Sequence, residues 1–412
     1  MPAMQKKAPA SDAAAPSGTL IDDIASWLMA STLGATSFED IFSGCCERLF
    51  ATGLPLARAH LSFRILHPLY GAMSHTWTRG AGLEVEGHGH FDNNQTAPEA
   101  WQSSPLRHLI VHRLPFLRRR LTGPDAVLDF PMLEELRDRG ATDYFGYSIL
   151  FGGGGTDGLV GSWASDRPSG FRDADLATLR RIQQRLGVAC KMRIKGEIAE
   201  NVVTTYLGRD AGLRVLDGQI RRGDGETLRA AFWYSDLRGS TQLAEMLDPT
   251  EFITVLNSYF EAAAGAVVAH GGEILGFIGD AVLAIFPIVE GGATAADACA
   301  RCARAQADAH ARLAAVNRER EARGREPLRF GLGLHVGEAV FGNIGIPERL
   351  AFTVIGAPVN EVARLEGLTK ELDEPVLATE AFARHLERPW RSLGRHELRG
   401  VEAPMDLFAP PR

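Results

Sequence analysis

Hydrophobic positions in this chain switch between a helical and a strand period, and each switch marks an element. Ile21, Ile24, Trp27 and Leu28 share one side of a helix expected over Leu20–Leu33. Ser37 and Asp40 form a capping-box pattern ahead of Ile41, Phe42, Cys45, Leu49 and Phe50. Strand-like runs follow at Ala57–Leu66, Met73–Thr78 and Leu83–Gly87, separated by Pro and Gly. Leu106–Leu121 reads as a basic helical stretch interrupted by Pro115, and Met132–Arg139 predicts a further helix. Two more strands, Tyr144–Phe151 and Gly158–Ala164, flank Gly152–Gly155. That glycine run lacks the Lys-Ser/Thr of a phosphate loop and is expected to be a hairpin turn.

A long helix is expected over Asp173–Tyr206. Its apolar residues Leu176, Leu179, Ile182, Leu186, Ile194, Ile198 and Val202 alternate in threes and fours like a coiled-coil seam. Arg193 and Gly196 weaken its middle, and the seam fits either a helix packed on the preceding domain or a dimer stalk. Residues 205–228 are Gly-rich and polar, as in a structured linker. An apolar run from Leu228 then ends on Asp236, and Gly239-Ser240-Thr241 opens a helix. A longer helix, Pro249–His270, is expected to cover a sheet. Gly279-Asp280 lies between the β-rich runs Ile274–Ile278 and Val282–Phe286, which is a hairpin signal. Beyond it come an Ala-rich helix, Ala293–Asn317, and a charged exposed loop, Arg318–Glu326. Residues 328–345 are strand-like, with glycines expected to allow tight turns, and residues 351–368 run from a strand into a helix.

The 412 residues have room for two or three domains, and 45% hydrophobic with 23% charged residues is ordinary for a soluble globular chain. A net charge of −7 argues against a nucleic-acid partner. No apolar run approaches the roughly 20 residues of a membrane span, so no transmembrane segment is expected. Residues 1–18 lack the apolar core of a signal peptide and read as a disordered tail. Five cysteines, at 45, 46, 190, 299 and 302, make no secreted disulfide framework, so a cytoplasmic location is expected. Cys299 and Cys302 form C-x-x-C without a second pair and are expected to be small buried residues rather than zinc ligands. His75, His88 and His90 offer ring nitrogens, but the Gly-His-Gly-His stretch is expected to be exposed. Arg107, His108, His112, Arg113 and Arg118–Arg120 suit an anionic effector or a solvated helix face.

The candidate chemistry starts from Asp236 and Asp280. Either one alone is an ordinary turn residue. If the hairpin lies beside the strand from Leu228, both carboxylates meet at one sheet edge, where they repel and favour a divalent cation such as Mg²⁺ or Mn²⁺. The free N–H groups of Gly239, Ser240 and Thr241 at a helix start suit phosphate. Asn360 and Arg364, four apart, share one helix face. That face is either solvated surface or a place to orient a ribose and neutralise charge on phosphorus.

SDLRGST, GGEILGFIGDAVLAIF and FTVIGAPVNEVARL, in this order and spacing, resemble the catalytic domain of the class III nucleotidyl cyclases, the adenylate and guanylate cyclase family. The resemblance covers about residues 228–410. It implies a ferredoxin-like α/β (α+β) core in a head-to-tail homodimer whose active sites form between subunits. One subunit would supply Asp236 and Asp280 to two Mg²⁺ or Mn²⁺ ions, and the other Thr353, Asn360 and Arg364. ATP would then close to 3′,5′-cyclic AMP with release of pyrophosphate, and Arg399, in HELRG, would meet the terminal phosphates or be an ordinary surface arginine. Thr353 matches the Thr-bearing adenylate subclass. The position at which adenylate-specific members carry a base-reading Lys is Gly276, four residues before Asp280. That departure leaves open a relaxed or guanylate-preferring cyclase, or a nucleotide-binding domain with weak turnover. Upstream, the element order resembles a GAF- or PAS-like sensor. The implied organisation is a tail (1–18), a regulatory domain (19–171) with a small-molecule or protein effector, a helical stalk and linker (172–227), and the cyclase domain (228–412).

Overall fold

The computed structural model describes residues 18–34, 36–67, 69–90, 98–151, 158–289, 291–401 and 403–412. Gly152–Gly155 and the tail up to residue 17 lie outside the described residues. Contacts divide the chain into two compact units, after Val202.

The first unit begins with α1 (Gly18–Leu33) and α2 (Phe38–Ala51), the latter capped by Ser37, whose side chain accepts from the Asp40 amide. It continues through β1 (Arg58–Arg64), β2 (Tyr70–Thr78), β3 (Gly82–Gly89), α3 (Glu99–Gln102), α4 (Pro105–Val111), β4 (Phe116–Arg120), α5 (Pro131–Asp138), β5 (Asp143–Leu150) and β6 (Gly158–Ser165). The six strands form an antiparallel sheet in the order β3-β2-β1-β6-β5-β4. The helix α6 (Asp173–Leu207) follows. One sheet face packs its Leu61, Phe63, Phe145 and Trp163 with α1, α2 and residues Leu176 to Ile194 of α6.

Three readings are sharpened here. The seam of α6 is buried within its own unit through Ile194, with Ile198 partly buried and Val202 exposed. The basic stretch is not one helix. Pro115 separates α4 from β4, and Arg118 and Arg120 on that edge strand pair with the buried Asp143. An unpaired buried carboxylate would be costly, so these arginines serve the fold rather than a solvated helix face. His75 is buried between Phe38 and Phe63 and bonds Glu39, and half-buried His88 bonds Ser74.

The second unit contains α7 (Arg209–Leu216), β7 (Gly225–Leu237), α8 (Ser240–Met246), α9 (Pro249–Ala269), β8 (Glu273–Ile278), β9 (Ala281–Ile288) and α10 (Ala295–Ala322). Then come β10 (Phe330–Ile346), β11 (Arg349–Ile355), α11 (Ala357–Glu371), β12 (Val376–Thr379), α12 (Glu380–Ala383), β13 (Arg391–His396) and β14 (Met405–Ala409). The sheet order is β13-β14-β12-β10-β7-β9-β8, with β11 paired to β10. Alanines let α9 and α10 pack closely over one face, where Cys299 and Cys302 are buried as expected. By length and composition α9 is apolar enough to cross a membrane, contrary to expectation. Its Val255, Tyr259, Ala262, Ala263, Ala266 and Val267 are instead core residues. A Thr294–Asp297 capping box starts α10, which runs to Ala322 and so absorbs the first part of the expected loop.

On the other face α11 lies along β10, and here the glycines do not make turns. The strand is continuous for 17 residues, and its glycines let the helix approach. A Cβ on Gly333 would lie 2.5 Å from the Val362 carbonyl, and one on Gly331 would overlap the Glu366 carboxylate. Gly333→Ala is therefore expected to destabilise the unit by about 1–3 kcal/mol through overpacking. Gly367, on the same helix with open space around it, should gain roughly 0.5–1 kcal/mol on replacement by Ala. Thermal unfolding of both variants checks the pair of opposite signs.

Candidate active site

Strand β7 pairs antiparallel with both β10 and β9, so Asp236 faces Gly331 on one side and Ala281 on the other. Ala281 directly follows the β8–β9 turn. Gly279 has φ +64, the conformation a two-residue hairpin needs at its first central position, and Asp280 follows it. The sheet thereby brings the two carboxylates together, within hydrogen-bonding reach of each other. Asp236 shares a face of β7 with Tyr234 and Phe232, below α11. The alternate residues Trp233 and Ser235 point the other way, where Ser235 Oγ accepts from Trp233 Nε1 at 3.1 Å and from Tyr259 Oη at 2.9 Å. Just beyond, Arg238 donates to the Thr369 and Glu374 carbonyls. The backbone that carries Asp236 is thus tied to α9 and to the end of α11.

Burial pushes the Asp236 carboxyl up to about 7, and the neighbouring Asp280 and Glu366 add to the shift while Lys370 opposes it. Burial also acts to raise Asp280, but hydrogen bonds to Asp236 and Ser240 outweigh it and hold that carboxyl below its ordinary value. The two shifts run in opposite directions, so Asp236 is the member of the pair that more readily takes a proton. Asp236 Oδ1 is buried and has no hydrogen-bond partner. An orphaned oxygen beside a second carboxylate fits a hard divalent cation. Among the described residues no group of three or more His, Cys, Asp or Glu is arranged to hold a metal. A two-carboxylate site suits Mg²⁺, which takes its remaining oxygens from water and substrate phosphates.

The other expected residues fall into two groups. Gly239, at φ +74, and Ser240 lead into α8 beside the pair, as the sequence implied, and Thr241 is exposed there. Thr353 pairs with Gly342 at the far end of β10, on the order of 30 Å of strand from Gly331. Asn360 and Arg364 are both exposed on α11 and make no hydrogen bond or ion pair with the carboxylates among the described residues. Arg399 is exposed in the β13–β14 turn, three strands from β7 and at the sheet end away from the pair. Two residues near the carboxylates carried no motif signal, Glu366 and Lys370. Their i, i+4 spacing on the helix of Asn360 was the available clue.

Residues 226–404 match the model described as the adenylate and guanylate cyclase catalytic domain. The second unit carries a cyclase catalytic domain. Adenylate cyclase 1 of Rhizobium meliloti is 33% identical over 177 residues, covering 42% of this chain and 26% of that protein. The adenylate cyclase of Anabaena cylindrica is 34% identical over 174 residues, covering 41% of this chain and 33% of its own. The chain thus spans about a quarter to a third of the length of these relatives. Among solved structures, the guanylyl cyclase Cya2 is 30% identical with a TM-score of 0.40, covering 45% of this chain and 92% of its own.

A carboxyl raised above its unfolded value of 3.8 to about 7 contributes stability that is full below 3.8 and lost as pH rises through 7. Asp236→Asn, which removes that charge, should raise the metal-free unfolding temperature at pH 8 and leave it nearly unchanged at pH 4. It should also abolish the stabilisation that Mn²⁺ gives the wild type, which a thermal-shift titration measures.

Proposed function

We propose that the second unit, as a homodimer, converts ATP to 3′,5′-cyclic AMP and pyrophosphate, and that the first unit regulates it. The observation that carries this is the Asp236–Asp280 pair, brought together by strand register and leaving an orphaned oxygen, within residues that match a cyclase catalytic domain. Asp236 and Asp280 would hold two Mg²⁺ or Mn²⁺ ions, with Ser240 orienting Asp280. The bound ions would supply the positive charge that acidifies the ribose 3′-hydroxyl and steadies the triphosphate. The backbone amides of Gly239, Ser240 and Thr241 adjoin the pair, where phosphate oxygens would lie.

Thr353 lies too far along β10 to serve that pair from the same chain, and Asn360 and Arg364 make no bond to it and face outward on α11. A second copy would bring them in. Phe277, Ile278, Val340 and Ile355 are exposed apolar residues on this unit and suit such a contact. There Asn360 would align the ribose for in-line attack, and Arg364 would neutralise charge developing on the α-phosphoryl oxygens. Thr353 would accept from the adenine amino group, and Arg399 would meet the terminal phosphates.

Gly276 favours a second reading, relaxed choice between ATP and GTP. It follows a β-bulge in β8, and a Cβ there would meet nothing within 4 Å, so the place of a base-reading side chain is open. For the first unit, a GAF- or PAS-like sensor is supported by its element order and its antiparallel sheet backed by α1, α2 and α6. Its effector would be a small molecule or protein, and a cytoplasmic location suits ATP as substrate.

Arg364→Ala should lower kcat about 10²–10³-fold. Mixed with Asp236→Asn subunits, it should recover about a quarter of wild-type activity, because half the dimers then hold one intact site. Failure of the mixture, with both variants folded and dimeric, would sink the shared-site reading. Gly276→Lys should raise the ATP-over-GTP ratio of kcat/KM about tenfold, consistent with one added hydrogen bond to the base. Parallel assays with both nucleotides measure it.

A further inference from the structure

The last turns of α11 reach the carboxylate pair of their own chain. Glu366 is buried, and its carboxylate lies against Gly331, the β10 residue directly opposite Asp236. Thr369 Oγ1 donates to the Glu366 carbonyl at 2.5 Å and lies 3.4 Å from its Oε1, and Arg238 ties the following backbone to the β7 end. Lys370 stands one turn beyond Glu366 on the same helix, exposed. Its positive charge favours the ionised form of three carboxyls, Asp236, Asp280 and Glu366. The glycine at 331 permits this approach, since any side chain there would displace Glu366.

We propose that Glu366 and Lys370 are positioning residues that set the divalent-cation affinity of the Asp236–Asp280 pair. The inference rests on the metal-binding reading of that pair. Without a cation, the Lys370 ammonium partly offsets the crowded negative charge. An incoming cation must compete with it, and Glu366, at i−4, gives the displaced ammonium an alternative partner while adding its own negative potential. Removing Lys370 therefore strengthens cation binding and removing the Glu366 charge weakens it. A purely structural role has no reason to produce opposite signs.

The test is a Mn²⁺ titration of the full chain without nucleotide, read by the thermal unfolding midpoint and by electron paramagnetic resonance of free Mn²⁺. Lys370→Met should lower the half-saturating Mn²⁺ concentration about three- to tenfold, and Glu366→Gln should raise it by a similar factor. Lys370→Arg should match the wild type, and the double variant should return to within about twofold of it. Because Lys370 is exposed, its effect should shrink in 0.5 M KCl, a salt concentration of the order that screens within one contact distance. If both single variants shift in the same direction, or Lys370→Met does not shift at all, the proposal is overturned. Lys370→Met keeps the test decisive even if Glu366→Gln unfolds. A wild type that shows no Mn²⁺ response overturns the metal reading itself.

Discussion

Two carboxylates forced within hydrogen-bonding reach of each other are the constraint on which the second unit depends. Left ionised, Asp236 and Asp280 repel, so the pair either keeps a proton or takes a cation. The fold accepts that cost because the backbone on both sides is over-determined. Ser235 is pinned by Trp233 and Tyr259, Arg238 by carbonyls at the end of α11, and Asp280 by a hairpin whose Gly279 adopts a positive φ. Rigid backbone around a charge conflict makes a binding site; a flexible one would let the carboxylates part.

The glycines of β10 connect this conflict to the rest of the unit. They admit α11 so closely that its Glu366 lies against the rung bearing Asp236, while Asn360 and Arg364 stay exposed higher on the same helix. One helix thus faces two ways. Its last turns belong to the carboxylate pair of their own chain, and its exposed face is free for another. The length of β10 sets the separation between Thr353 and Asp236.

Much of this was legible from local pattern. The hairpin at Gly279-Asp280, the helix cap at Ser37, and the strand-to-helix run over 351–368 are each specified within a few residues, where turn chemistry and periodicity act directly. The patterns failed where long-range partners rule. Arg118–Arg120 carried a helical, basic signature, but Asp143, a distant residue, draws two of the three into an edge strand. His75 had no neighbours in sequence to show that Phe38, Phe63 and Glu39 would close around it.

The sequence by itself determined the residue types and spacings of the chemistry: two aspartates, an Asn–Arg helix face, and a glycine where a base-reading side chain was expected. Those depend on neighbours along the chain. Tertiary structure decided that Asp236 and Asp280 come together, that the glycines of β10 seat a helix instead of bending the strand, and that Glu366 lies against the rung bearing Asp236. Each of those rests on antiparallel register between β7, β9 and β10 and on burial. Neither register nor burial exists until segments far apart in sequence have been packed together.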